Sequence, residues 1–155
     1  MRRARRGFSF IELLVVLIVM GILASLAVLK YIDLKHRAKS AQVIGDLQAV
    51  RLAAYNVWYE TGTWPADAGA GTIPAGLVPH LGTGFTFSKP DYTLDFENFV
   101  PPDGGATGTY QLGVVFTSTD TRLINTLIKN LGNKAPFFVL GGNLTFVIVG
   151  PDGRI

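Results

Sequence analysis

A run of 22 residues, Phe8–Leu29, carries a single charged side chain, that of Glu12. An α-helix rises about 1.5 Å per residue, so this run would be roughly 33 Å long, enough to cross the hydrocarbon core of a bilayer. A carboxylate inside such a segment costs about 2.5–3.5 kcal/mol. The sequence therefore predicts a transmembrane helix over Phe8–Leu29, and the cost of Glu12 indicates that this side chain has a function.

Four arginines stand before the apolar run, namely Arg2, Arg3, Arg5 and Arg6. Basic residues at this place favour a cytoplasmic N-terminus, with the rest of the chain facing outward. They also account for most of the basic character, because the remaining residues have 10 Lys and Arg against 11 Asp and Glu. We therefore expect the lipid bilayer, and not a nucleic acid, as a partner.

Two ordinary interpretations of this terminus are possible. A secretory signal peptide would be cleaved after Ser25-Leu26-Ala27, and the pair Arg5-Arg6 faintly suggests twin-arginine export. Its apolar region, however, is usually about 7–15 residues long, shorter than the run found here. A plain single-span anchor explains the length and the arginines. Neither interpretation gives Glu12 a role.

A third interpretation comes from the residues around the junction, Gly7-Phe8-Ser9-Phe10-Ile11-Glu12-Leu13-Leu14-Val15-Val16. This segment resembles the prepilin peptidase motif of type IV pilins and of the pseudopilins of type II secretion. The resemblance implies cleavage after Gly7 and N-methylation of Phe8, so that residues 1–7 form a leader. It also places Glu12 at the fifth mature position, where the family keeps a glutamate.

The freed amine of Phe8 would lie a few residues from Glu12. In an apolar filament core, Glu12 of one subunit could form a salt bridge with the Phe8 amine of a neighbour. Such a pair adds little net stability, but an unpaired buried charge is strongly penalised, which favours one axial register between subunits. We therefore expect Glu12 to act in assembly.

Helical character continues past Leu29, because no proline occurs between Lys30 and Thr61. We predict one helix over about residues 8–60, with an amphipathic second half that packs on a sheet. Apolar residues near one face of that half are predicted to be buried: Leu34, Ala38, Ala41, Ile44, Leu47, Ala54 and Trp58.

Glycines and prolines crowd residues 62–84, which predicts a loop. Strand patterns then follow at Phe85–Phe87, Tyr92–Phe96, Tyr110–Thr117, Phe137–Leu140 and Leu144–Val149, the last two forming a hairpin across Gly141-Gly142-Asn143. A helical stripe over about residues 120–131 has Asp120 as a possible N-cap and Gly132 as a possible terminator. The predicted fold class is α+β, the pilin fold, with residues 30–155 as a globular domain outside the membrane.

Candidates for chemistry are few. The chain has no cysteine, which excludes disulfides and thiolate metal sites, and no nucleophile motif is present, so we expect no enzyme. Carboxylates that could bind calcium, as hard oxygen ligands, are weak candidates: Asp91, Asp95, Glu97 and Asp103. Their spacing matches no calcium loop, so no metal or other cofactor is expected.

The resemblance implies a structural subunit of a type IV pilus-like or type II secretion pseudopilus filament, held in the bacterial inner membrane until assembly. Its partners would be related subunits, prepilin peptidase and an inner-membrane assembly platform. One alternative is a type IV pilin for adhesion, motility or DNA uptake at the cell surface. A further alternative is a membrane-anchored periplasmic binding protein that does not polymerise.

Overall fold

A computed structural model of the chain describes residues 7–99, 111–132, 135–151 and 153. The chain divides into two compact units, residues 1–36 and 37–155. The first element, α1, covers Phe10–Thr61 and continues from the first unit into the second. This confirms the predicted long helix, whose expected bounds of 8 and 60 differ from the observed ones by one or two residues.

The first unit consists, in its described part, of the N-terminal segment of α1 and the residues before it. All residues from Gly7 to Tyr31 are exposed, although most are apolar. The most apolar 18-residue window of α1 has a mean hydropathy of 2.8, and none of it is buried. By length and composition this segment can cross a membrane, as expected for Phe8–Leu29.

In the second unit, α1 buries one face against the sheet. Its fully buried apolar residues recur at helical spacing, as in Val43, Leu47, Val50 and Ala54. The predicted stripe was partly wrong, because four of its residues are exposed: Leu34, Ala38, Ala41 and Trp58. The reason is that apolar residues occur nearly all round this half of α1, so periodicity alone did not determine which of them face the sheet.

Helix α1 ends at Thr61, directly before a glycine. Gly62, directly after Thr61, has a φ of 71°, and its N–H donates to the Trp58 carbonyl over 2.8 Å. Glycine adopts this left-handed conformation without the penalty that a Cβ brings, so it terminates helices readily. The loop predicted over residues 62–84 follows, and its only regular element is a short 3-10 helix, Val78–His80.

In the described part of the chain, four strands form one antiparallel sheet. They are β1 (Thr93–Asn98), β2 (Leu112–Thr117), β3 (Phe137–Leu140) and β4 (Asn143–Val149), and their order across the sheet is β1-β2-β4-β3. The prediction of these four strands is confirmed, and the predicted ends that lie among the described residues differ from the observed ones by at most two residues. Tyr110, predicted as the start of β2, lies outside the described residues.

The predicted strand at Phe85–Phe87 is wrong. Phe85 belongs to a turn in which its N–H donates to the Gly82 carbonyl over 3.0 Å. Phe87 is fully buried, and only a single bridge, Ser88 to Thr93, forms next to it. The alternation of apolar side chains therefore reflects one phenylalanine entering the core from a loop, not a strand.

The second helix, α2, covers Thr121–Leu131 and confirms the prediction for residues 120–131. The Asp120 carboxylate accepts from the N–H groups of Arg122 (3.0 Å) and Leu123 (3.2 Å), which satisfies two donors at the helix start. Leucines at spacing four point into the core, namely Leu123, Leu127 and Leu131. The shared core of α1, α2 and the sheet gives the α+β architecture expected of a pilin.

Candidate functional site

The candidate site lies at the start of α1. Gly7 and Phe8 precede the helix, are not in regular structure, and are exposed, Phe8 by 70%. No atom lies within 4 Å of the position that a Cβ on Gly7 would occupy. Nothing in the described fold therefore requires glycine at position 7, and the Gly7–Phe8 bond is open to another protein.

Glu12 and Ser9 form a reciprocal hydrogen-bonded pair at this end. The Ser9 N–H donates to Glu12 Oε2 over 3.1 Å, and the Glu12 N–H donates to Ser9 Oγ over 3.3 Å. This is a capping box, in which two of the free N–H groups of a helix start are satisfied by side chains. Sequence reasoning missed it, although the spacing Ser-x-x-Glu was visible.

The negative charge of Glu12 has no partner within the described part of the chain. The ion pairs found there join Lys39 to Asp91, His80 to Glu60 and Lys89 to Asp46. A hydrogen bond from a backbone N–H does not neutralise a carboxylate, which offers about four lone-pair positions on two oxygens. Glu12 can therefore cap its own helix and still accept a cationic partner.

The surroundings of Glu12 are apolar and exposed. Large side chains of this segment stand in the open, among them Phe10, Ile11, Leu13, Leu14, Val15 and Val16. A contiguous apolar surface of this kind marks a membrane or protein interface, because soluble surfaces rarely show one. Inside such an interface a lone carboxylate would lose its water, so a cation that pairs with it would remove a large free-energy penalty.

The weak calcium candidates fall in different places. The Asp91 carboxylate pairs with Lys39 on α1, and Asp103 lies outside the described residues. Asp95 and Glu97 alternate with the buried Leu94 and Phe96 on β1, so both point to the outer face of the sheet. Across residues 7–99, 111–132, 135–151 and 153, no three histidines, aspartates or glutamates are arranged to hold a metal ion.

Burial perturbs the two acids on β1. It raises the pKa of Asp95, with help from the charge of Asp67. It also raises the pKa of Glu97 to about 6, and the charges of Asp95 and Asp67 and a hydrogen bond with Asp67 act in the same direction. Asp95, Glu97 and Asp67 therefore form one acidic cluster in which each charge opposes the ionisation of its neighbours.

Known proteins resemble this chain in a family motif at its N-terminus and in pairwise alignments with individual relatives. The family described as the prokaryotic N-terminal methylation motif matches residues 2–28. Fimbrial protein EcpC of Eikenella corrodens is 31% identical over 75 residues, which cover 48% of this chain and 49% of that protein. Type II secretion system core protein G of Klebsiella michiganensis is 40% identical over 52 residues, 34% of this chain and 37% of that protein.

These two alignments span half or less of the length of either relative. A longer match is to the type IV narrow pilus major component PilA5 of Thermus thermophilus, which is 42% identical over 115 residues, 74% of this chain and 72% of that protein. No solved structure matches the chain significantly. The motif at the start of α1 and a relative aligned over most of its length agree, and the chain belongs to the type IV pilin family.

Proposed function

We propose that this chain is a structural subunit of a helical filament, either a type IV pilus or a type II secretion pseudopilus. The observation that carries the proposal is Glu12, an exposed carboxylate in the apolar start of α1 with no cationic partner among the described residues. It stands beside an exposed Gly7–Phe8 bond whose cleavage would create an amine.

Maturation comes first in the proposed sequence of events. The prepilin peptidase cuts after Gly7 on the cytoplasmic side of the inner membrane, and the new amine of Phe8 is methylated. The arginines of residues 1–7 keep that end in the cytoplasm before cleavage. Cleavage leaves the Ser9 N–H in place, so the capping box with Glu12 survives.

Assembly then uses the charge of Glu12. When the apolar segments of neighbouring subunits pack together, the carboxylate of one subunit pairs with the methylated amine of Phe8 on another. The attraction between the two charges is strong in an apolar core, but both must first lose their water. The pair therefore selects the register in which both charges are matched, because every other register leaves an ion buried alone.

The remaining partners follow from this role. Related subunits surround each copy, and an inner-membrane assembly platform moves the subunit from the bilayer into a periplasmic pseudopilus or a cell-surface pilus. Relatives named as pilus components and a relative named as a secretion core protein are both similar to this chain. We accordingly propose the filament class that they share, and we propose no catalytic role for the subunit itself.

Mass spectrometry of protein purified from membranes of a host with the peptidase tests the maturation step. We expect the mature N-terminus at Phe8, heavier by one methyl group, and an uncleaved N-terminus at Met1 when the peptidase is deleted. A Gly7→Val variant is the matched control, because the change alters the cleavage position and a Cβ at residue 7 meets no atom within 4 Å apart from its chain neighbours. An N-terminus at Val28 would show a signal peptide instead, and Met1 in the presence of peptidase would leave only a membrane anchor.

A further inference from the structure

A groove with a volume of about 520 Å³ crosses the outer face of the sheet. Its floor follows one row of paired residues, Asp95 on β1, Val115 on β2, Thr145 on β4 and Phe138 on β3. Glu97 also lines the groove. Apolar walls and acidic groups on one side give it the character of a binding site for a cationic group that carries an apolar stem.

Among the residues that the structure describes, the acids at the groove have no counter-charge. Asp95 Oδ1 is buried and has no hydrogen-bond partner. None of Asp67, Asp95 and Glu97 forms an ion pair with a described residue, and no lysine or arginine is among the described residues that line the groove. Gly113 lies opposite Glu97 in the register, so no side chain from β2 covers that carboxylate. Asp95 and Glu97 line the groove and Asp67 approaches Glu97 beside it. Carboxylates this close to one another are costly as anions unless they take up protons or a partner supplies a cation.

The complementary charge is on α2. Arg122 and Lys129 are both exposed and stand seven residues apart, about two helical turns or roughly 10 Å. No acidic residue occurs in Thr121–Leu131, and neither basic side chain is paired with a described acid. The buried leucines of α2 fix its orientation in its own domain, so this basic side is presented to other molecules.

We propose that the basic side of α2 in one copy docks into the acidic groove of the next copy, with Arg122 against Glu97 and Asp95. The inference rests on the proposed function as a filament subunit. An arginine stem can lie along the apolar walls while its guanidinium forks onto the carboxylates. Because α2 and the groove are different surfaces, the contact is head-to-tail, and repetition of such a contact produces an open filament.

Disulfide trapping tests the contact directly, since the chain has no cysteine and introduced cysteines have no background. The double variant Glu97→Cys with Arg122→Cys is made in the full chain, filaments are sheared from cells and oxidised, and a non-reducing gel is run. We expect a ladder of covalent oligomers from the double variant and monomers from each single variant. The control pair Glu97→Cys with Arg37→Cys, which uses an exposed arginine of α1, should give no ladder.

A ladder from the control pair, no ladder from the test pair, or dimers from a single-cysteine variant would overturn the head-to-tail contact. The last result would indicate a symmetric interface, because only then do two identical positions meet.

Charge reversal provides a second measurement that does not depend on cysteine geometry. Glu97→Arg and Arg122→Glu place like charges across the contact, and each should lower the yield of sheared filament about tenfold. The double variant should recover most of that yield, because the pair is restored in the opposite sense. If the wild type forms filaments and the double variant does not recover, this inference is wrong while the proposed function stands. If the wild type forms no filaments, both are wrong.

Discussion

Glu12 accepts a hydrogen bond from the Ser9 N–H and also carries a charge without a described partner. The two properties belong to different parts of the side chain. Capping needs an acceptor oxygen, whereas pairing with an amine inside an apolar filament needs the negative charge. Glutamine keeps the first and loses the second, so the two roles can be separated by substitution.

We predict that Glu12→Gln abolishes or strongly reduces filament formation while it leaves membrane insertion intact. The amide oxygen of glutamine still accepts from the Ser9 N–H, so the helix start is retained, but the Phe8 amine of the neighbour finds no counter-charge. The measurement is sheared filament on an immunoblot, normalised to the amount of subunit in the membrane fraction.

Ser9→Ala is the matched control, because it removes one half of the capping box and keeps the charge of Glu12. It should cost about 1 kcal/mol of helix stability and leave filaments present. The opposite pattern, with filaments from Glu12→Gln and none from Ser9→Ala, would mean that Glu12 serves only as a cap.

Glu97 predicts a pH dependence of stability. Its pKa is raised from 4.5 to about 6, mainly by burial, so the folded domain binds this proton more tightly than the unfolded chain does. The stabilisation is therefore complete below about pH 4.5 and is lost as the pH rises through 6. Because the side chain is only partly buried, solvent screens part of this effect and the change should stay below about 1 kcal/mol.

Thermal unfolding of the full chain in detergent, followed through the fluorescence of the two tryptophans, measures this change. The Glu97→Gln variant should lose less stability than the wild type between pH 5 and pH 7.5. Equal slopes for the two proteins would show that Glu97 titrates normally.

At the scale of elements, a polar cluster of Asp46, Lys89 and Tyr92 connects α1 to the edge of the sheet. Asp46 on α1 accepts from the Lys89 ammonium and from the Tyr92 hydroxyl, just before β1. Burial, together with the hydrogen bond and charge of Asp46, holds the pKa of Tyr92 well above its usual range, so the hydroxyl remains a neutral donor. Asp46 is separated in sequence from Lys89 by 43 positions and from Tyr92 by 46. The cluster therefore connects distant parts of the chain and specifies how α1 packs on the sheet.

We predict that Asp46→Ala destabilises the domain by about 2–3 kcal/mol, because it leaves the partly buried ammonium of Lys89 without a counter-charge. Chemical denaturation of the full chain in detergent provides the measurement. Glu60→Ala is the control on the same helix, since its side chain is 65% exposed and its pairing with His80 should contribute less than about 1 kcal/mol. A similar loss of unfolding free energy in both variants would show that the cluster stabilises the domain no more than an exposed ion pair does.

Over the whole molecule, the parts that sequence could predict are those with local causes. Helix α2 has its cap at Asp120 and its end at Gly132, and the β3–β4 hairpin has glycines at its turn. Phe85–Phe87 had the same alternation as a strand but lies in a loop, because the alternation came from Phe87 filling the core. A local pattern predicts an element correctly only where the same residues also determine what that element packs against or pairs with.

The outer groove could not be predicted for a related reason. Asp95 and Glu97 stand two residues apart within the predicted strand region, but the row that joins Asp95 to Phe138 exists only because β4 lies between β2 and β3. Asp67 reaches Glu97 from a loop about 30 residues earlier in the sequence. Contacts between residues so far apart in the chain leave no periodic pattern or motif in a single sequence. The capping box of Ser9 and Glu12, by contrast, has a local signal in the spacing Ser-x-x-Glu.

The orientation of α1 in its own domain gives a final test on one residue type. Leu47 is fully buried and belongs to the core shared with the sheet, whereas Leu52, five residues later on the same helix, is 63% exposed. We predict that Leu47→Ala lowers the free energy of unfolding by about 2–5 kcal/mol, through lost burial and the cavity left behind. Leu52→Ala should change it by less than about 0.5 kcal/mol, because its side chain makes few contacts to lose. Denaturant titration of the subunit in detergent measures both variants under one condition, before any filament contact can protect Leu52. Equal losses would mean that α1 is rotated about its axis relative to the arrangement described, and the buried face would then have to include Leu52.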